Sequence, residues 1–244
     1  MKYRIALVEY LNTLPFSEGL KMTGMEHHQQ VFRVTPDQCA ALFQNHQVDI
    51  SLCPVGALED LPAHYVGGKY CIGADGAVRT VKLLSKVPAD QITSVRLDPH
   101  SRTSNLLLQI LAHRWWGKSW YYNAGGNGRI AESCVMIGDK VFENVASYPY
   151  QYDLAEAWKS MTGLPMVFAV WIASPAVPHA VLEELDRAFE AGWAWINQPD
   201  SGLADWQKTY LTENISYPLD EKKRTALALF REYAESVVTV PIVR

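Results

Sequence analysis

The chain has 244 residues, 48% hydrophobic and 20% charged, a balance that builds one large buried core or two small ones. Its 22 Lys and Arg against 26 Asp and Glu leave a net charge of −4 with no long cationic run. That excludes a general nucleic-acid binder, because phosphate neutralisation needs clustered cations. The longest apolar stretch, MVFAVWIA at 166–173, falls far short of the about 20 residues that cross a bilayer.

Residues 3–8 (YRIALV) read as a buried strand, and EYLNTLPF (9–16) as a strand-to-loop transition carrying polar residues and a proline. Residues 31–34 make a short second strand. Thr35, Pro36 and Asp37 then open a helix with an N-cap, a first-turn proline and an acid at the positive helix end. The next strand is 48–52, with a loop at 54–57. Strands alternating with helices of this length imply an α/β sheet. Residues 66–85 are extended, rich in β-formers around Gly73 and Gly76.

A second α/β segment follows residues 86–90, with a strand at 94–97, a helix at 101–115 and strands at 120–122 and 135–138. Residues 166–173 are a further strand, and helices take 178–197, 202–211 and 219–238. Two α/β portions joined by extended segments predict two lobes: 1–84 with 172–244, and 85–171. The helical C-terminal part is expected to return to the first. Cys39, Cys53, Cys71 and Cys134 are scattered, with no C-x-x-C and no His/Cys cluster, and read as reduced thiols. With no secretory signal at the N-terminus, the chain is expected in the cytoplasm.

Ligands of such sheets lie beyond the carboxyl ends of the strands, which directs attention to the turns there. In DPHSRTSN (98–105), Ser101 is a natural N-cap that leaves Arg102, Thr103 and Ser104 in the first helical turn. First-turn N–H groups, hydroxyls and the positive helix end suit a carboxylate or phosphate. A plain cap with solvated hydroxyls fits the same letters. In YLNTLPF (10–16), Asn12 offers donors and an acceptor to a ligand hydroxyl or carboxylate, or else stabilises the turn before Pro15. GGNG (125–128) lacks the phosphate-loop pattern and reads as a flexible turn. The seven histidines show no metal-ligand spacing, and only His100 adjoins a candidate turn. No Ser or Cys nucleophile motif is present.

Several segments together resemble the chorismate dehydratase family of menaquinone biosynthesis by the futalosine pathway. They are YLNTLPF (10–16), GAVRTVKLLSKVP (76–88), LDPHSRTSNLLLQIL (97–111), IGDKV (137–141), YDLAEAWKSMTGLPMVFAVW (152–171) and YLTENISYPL (210–219). They stand in family order over nearly the whole chain. The resemblance implies an α/β, two-lobed fold like type II periplasmic binding proteins, with a discontinuous first lobe and a cleft. It implies loss of water from chorismate to give 3-[(1-carboxyvinyl)oxy]benzoate, with chorismate as the partner and neither metal nor organic cofactor.

By that resemblance Asn12 orients the substrate and stabilises developing charge. The family pattern G-x-V-x-S-V places Thr80 where a serine is expected, keeping the hydroxyl and adding a methyl; Thr80 would bond the reacting end of the substrate. Tyr10, Leu11 and Thr13 beside Asn12, Ser101, Arg102, Thr103 and Ser104, and Asp139 are the further substrate contacts. The proton would go to the substrate's own side-chain carboxylate, with His100 and Asp139 as protein-side alternatives. Three rival readings stay open. One is a non-catalytic small-anion-binding protein of the same fold. Another is the dihydroxynaphthoate synthase of the same pathway, which carries a Cys-Pro-Asn-Asp-type segment where this chain has YLNTLPF. The third is a regulator's effector domain, which would need a DNA-binding helix-turn-helix.

Overall fold

The structure, a computed structural model, describes residues 2–123, 132–199 and 201–237; the turn expected at 125–128 lies outside them. In chain order come β1 (Arg4–Val8), α1 (Leu14–Met22), α2 (Met25–His28), β2 (Gln30–Val34), α3 (Pro36–Gln44), β3 (Ile50–Pro54) and β4 (Tyr65–Ala74). Next are β5 (Val81–Ser85), β6 (Ser94–Arg96), α4 (Arg102–Arg114), β7 (Tyr121–Asn123), β8 (Ser133–Ile137), α5 (Lys140–Asn144), β9 (Tyr150–Asp153) and α6 (Leu154–Thr162). The last are β10 (Met166–Ala173), α7 (His179–Ile196), α8 (Asp205–Thr209), β11 (Ser216–Pro218) and α9 (Glu221–Val237). They form two units, each with its own sheet.

The first unit comprises Met1–Gly73 and Val167–Asp220. Its sheet runs β11-β4-β10-β3-β1-β2. β1 is parallel to β2 and β3, and β10 runs antiparallel to β3. Every residue of β10 is buried, which is why its sequence is apolar without alternation. Thr35 starts α3 with a capping box closed by Gln38. Where 9–16 reads as a passage from strand to loop, the structure has a 3-10 turn, Leu11–Thr13, and then α1. Pro15 sits in the first turn of α1, where a missing N–H breaks no helical bond.

α1 is locked onto α7 by close backbone approach. A Cβ at Gly19 would lie 1.8 Å from the Ala188 carbonyl oxygen, and one at Gly192 1.9 Å from that of Pro15. Phe16 fills the same contact, 4.8 Å from the Phe189 ring and 5.4 Å from Trp171 between centroids.

The second unit comprises Ala74–Met166 and Glu221–Arg244, the latter described to residue 237. Its sheet runs β7-β6-β8-β5-β9. β6 is parallel to β7 and β8, while β5 is antiparallel to β8 and β9. The lobe boundaries expected at 84/85 and 171/172 therefore move. The extended run 66–85 is two strands in two sheets, because 81–85 pairs with β8 and β9. The C-terminal helix also leaves the first lobe: Phe230 of α9 meets Trp158 of α6 (6.0 Å), and the Arg114 guanidinium of α4 lies 3.9 Å over Tyr233. Smaller shifts are β3 at 50–54 in place of 48–52, and a shorter α8 followed by a π-turn, Tyr210–Asn214.

The α1–α7 contact gives a direct stability test. Gly192→Ala forces its methyl into a carbonyl and should destabilise the protein by about 1–3 kcal/mol or more, read as a lower urea midpoint. An unchanged midpoint would mean that the two helices do not approach at Gly192.

Candidate functional site

In the first unit the candidate residues follow β1. Glu9 extends the ladder by one bond, its N–H donating to the Val34 carbonyl at 3.0 Å. Tyr10 stays extended, and the chain then tightens into the 3-10 turn that carries Leu11, Asn12 and Thr13. Thr13 is buried, and its hydroxyl faces the carbonyls of Val8 (2.5 Å) and Tyr10 (2.8 Å). Its proton is therefore used in fastening the turn to the strand end.

Tyr217 of β11 clamps the other side. Its hydroxyl donates to the Asn12 carbonyl at 2.9 Å. Burial pushes the Tyr217 phenol well above its usual range, so it keeps that proton. The backbone of Asn12 is thus held while its side-chain Oδ1 is buried and has no hydrogen-bond partner. A buried acceptor left in this state costs about 1–3 kcal/mol, and a ligand O–H or N–H would remove that cost. Tyr10 and Leu11 are half-buried in the same turn.

The sheet of the second unit brings its candidates together at one end. β6 and β8 are parallel, so 97–101 and Gly138–Asp139 follow strand ends on the same side. β5 runs the other way, with Val81 opposite Ile137, so Thr80 meets that end too; Gly138 N donates to the Thr80 carbonyl at 2.9 Å. Thr80 is buried. β9 ends there as well, Asp153 opposite Lys82. The starts of α4, α5 and α6 all lie at this end, each contributing its positive pole.

Ser101 is the N-cap of α4, as its letters predicted: its Oγ accepts from Ser104 N at 3.2 Å and donates to Ser104 Oγ at 2.7 Å. Ser101, Thr103 and Ser104 are buried, whereas Arg102 is exposed. With Ser101 donating to it, Ser104 retains its own hydroxyl proton. The turn itself hangs on Asp98, whose Oδ1 accepts from His100 N at 2.9 Å. The Asp98 backbone exchanges two bonds with the Asn105 side chain, at 3.1 and 2.8 Å.

The Asp98 side chain is 2% exposed, a buried negative charge inside a turn suited to anions. Lys140, the first residue of α5, places its Nζ 2.5 Å from Asp98 Oδ2 and cancels that charge. Asp139 and His100 are exposed. Among the described residues no cluster of three His, Cys, Asp or Glu side chains could hold a metal.

Lys140, Tyr217 and Asp153 are site-shaping residues absent from the sequence candidates, whereas Asp98 opens the 98–105 turn already singled out there. Asp153 alone had a local signal, the Asp-x-x-Glu spacing of a helix N-cap at 153–156. The Asp98–Lys140 pair and the Tyr217 clamp join residues far apart in the chain, so only the fold reveals them.

A family model described as menaquinone biosynthesis matches residues 3–236. A chorismate dehydratase of Campylobacter jejuni subsp. jejuni is 24% identical over 240 residues, covering 91% of this chain and 93% of that protein. Among solved structures, a protein of Archaeoglobus fulgidus superposes with a TM-score of 0.74 at 16% identity, over 96% of this chain and 97% of its own. A Candida albicans gene product described as having the generic periplasmic binding protein fold superposes with a TM-score of 0.62 at 12% identity, over 100% and 98%. The fold is therefore that of the periplasmic binding proteins.

The ion pair at the 98–101 turn makes a testable claim of its own. Lys140→Met strands a buried carboxylate and should destabilise the protein by about 1–3 kcal/mol, whereas adding Asp98→Asn should recover most of the loss. Chemical unfolding of both variants decides it; an equal loss in the single and double variants would mean that no such pair forms.

Proposed function

Because the chain belongs to the menaquinone-biosynthesis family, we propose that it removes water from chorismate to give 3-[(1-carboxyvinyl)oxy]benzoate. The observation that carries this reading is the buried, partnerless Asn12 Oδ1 in a turn whose Thr13 hydroxyl and Asn12 carbonyl are both fastened. An acceptor waiting in a buried place calls for a ligand with a hydroxyl, and chorismate carries one on its ring. The Campylobacter jejuni relative supports the same substrate.

The chemistry assigns the remaining roles. The proton on the ring carbon bearing the enolpyruvyl ether leaves, and its electron pair forms the new ring double bond. Hydroxide departs from the neighbouring carbon, is protonated to water, and the ring becomes aromatic. Charge built up in deprotonation spreads through the conjugated diene onto the ring carboxylate. Donors fixed on that carboxylate stabilise the transition state more than the ground state. The first turn of α4, with Arg102, Thr103 and the Ser104 hydroxyl, serves as that donor set, and Ser101, whose own proton goes to Ser104, orients it.

Asn12 takes the ring hydroxyl on Oδ1 and turns its Nδ2 toward developing charge. Thr80 donates to the departing oxygen. The substrate's enolpyruvyl carboxylate accepts the ring proton; His100 and Asp139, both exposed, are the weaker candidates for a base that must work away from water. Product lacks the hydroxyl, so it loses the bond to Asn12 and is released. Four buried free thiols fit a reducing compartment, and we place the reaction in the cytoplasm.

Purified protein mixed with chorismate should yield a species lighter by one water, with aromatic absorbance rising in step. Chorismate bound but recovered unaltered would replace this reading with a non-catalytic binding protein. Asn12→Ala should lower kcat by about 10²–10³-fold, and Thr80→Val, which keeps the methyl and loses the hydroxyl, by at least about tenfold. Full activity in Thr80→Val would remove Thr80 from the mechanism.

A further inference from the structure

The loop carrying Thr80 is held from outside by one carboxylate. Asp153 Oδ1 accepts from Val78 N at 3.2 Å, and Asp153 Oδ2 accepts from Arg79 N at 2.7 Å. The same side chain caps α6, Oδ1 accepting from Ala155 N (3.1 Å) and Glu156 N (3.2 Å). Burial pushes the Asp153 carboxyl above the usual carboxylate range, against the pull of these four N–H groups. A surface cap would meet no such opposition.

What the clamp secures is an unusual backbone. Arg79 has φ of +66°, the left-handed region that residues with a Cβ rarely adopt. Its neighbour Thr80 is fixed on the other side by the bond from Gly138 N to its carbonyl. The start of the loop is tied to α6 as well: Lys159 Nζ lies 2.7 Å from the Asp75 carboxylate and 3.2 Å from its carbonyl oxygen. One helix therefore holds residues 75–79 at both ends.

We propose that Asp153 is a positioning residue for Thr80: its Oδ2 holds Arg79 in the left-handed turn that sets where Thr80 stands. This rests on the reading above, in which the Thr80 hydroxyl meets the departing oxygen. Misplacement of a reacting group by about 1 Å can cost roughly 10²-fold in rate. A loop free to relax at Arg79 would move Thr80 by such distances without unfolding anything.

Asp153→Asn separates this role from helix capping. Asparagine caps as well as aspartate does, so Oδ1 can still serve Val78, Ala155 and Glu156, while an amide group replaces the acceptor facing Arg79 N. The expected result is a kcat for chorismate lowered by about tenfold or more, with KM and the melting temperature close to those of the parent protein. Arg79→Gly, placed in the Asp153→Asn background, should restore kcat several-fold, because glycine adopts a positive φ without steric cost.

Parental kcat in Asp153→Asn would overturn the proposal, as would a loss that follows the folded fraction alone or the absence of any recovery with Arg79→Gly. Amide hydrogen exchange at Arg79 separates the clamp from the proposed reaction. If the parent protein leaves chorismate unaltered, the dehydratase reading fails by itself. Faster Arg79 exchange in Asp153→Asn would then still support the clamp, and unchanged exchange would reject it.

Discussion

A buried amide oxygen with no partner costs about 1–3 kcal/mol, and this fold keeps one at Asn12 Oδ1. The surroundings make relaxation difficult. Thr13 ties the turn to the end of β1, Tyr217 holds the Asn12 carbonyl, and Phe16, just beyond, is wedged against Phe189 and Trp171. α1 in turn cannot slide, because Gly19 and Gly192 let two backbones touch. The packing that fixes the turn thus also keeps the orphaned oxygen from finding a partner within the protein. Such an arrangement is stable only because many other contacts over-determine it, and on the proposed reading a substrate hydroxyl would supply the partner.

The second unit contributes through electrostatics. Three helices begin at one end of its sheet, so the positive ends of backbone dipoles gather there. On the proposed reading, these dipoles let a chain with a net charge of −4 hold an anionic substrate. The one buried negative charge in the α4 turn, Asp98, organises its backbone and would repel a carboxylate ligand. Lys140 removes that repulsion at 2.5 Å. Each of these parts is local to its unit. A loss-of-water reaction needs no more from the protein than fixed donors, a hydroxyl near the leaving oxygen and shelter from solvent.

How much of this was legible in the letters depended on whether the signal was local. β10 was readable to the residue, because a central strand is apolar throughout. α3 and α4 announced themselves through their caps, Thr35 and Ser101. α1 was missed because Pro15 resembles a breaker, although in a first turn it breaks nothing. The run 66–85 looked like one extended segment, since propensity does not report which sheet a strand joins. α9 was assigned to the wrong lobe for the same reason: its amphipathic pattern exposes an apolar face but not the partner, Trp158, that covers it. At the site, Asn12 and the 101–104 turn were visible as turn chemistry after strands. Lys140 and Tyr217 act on residues 42 and 205 positions away, which no local pattern encodes.

The most direct measurement is a crystal structure of the Thr80→Val protein, slowed in turnover, with chorismate bound. The account predicts the ring hydroxyl within about 3 Å of Asn12 Oδ1, so that the orphaned oxygen gains its partner. Chorismate bound elsewhere, or seated with its hydroxyl turned away and Oδ1 still alone, would contradict it.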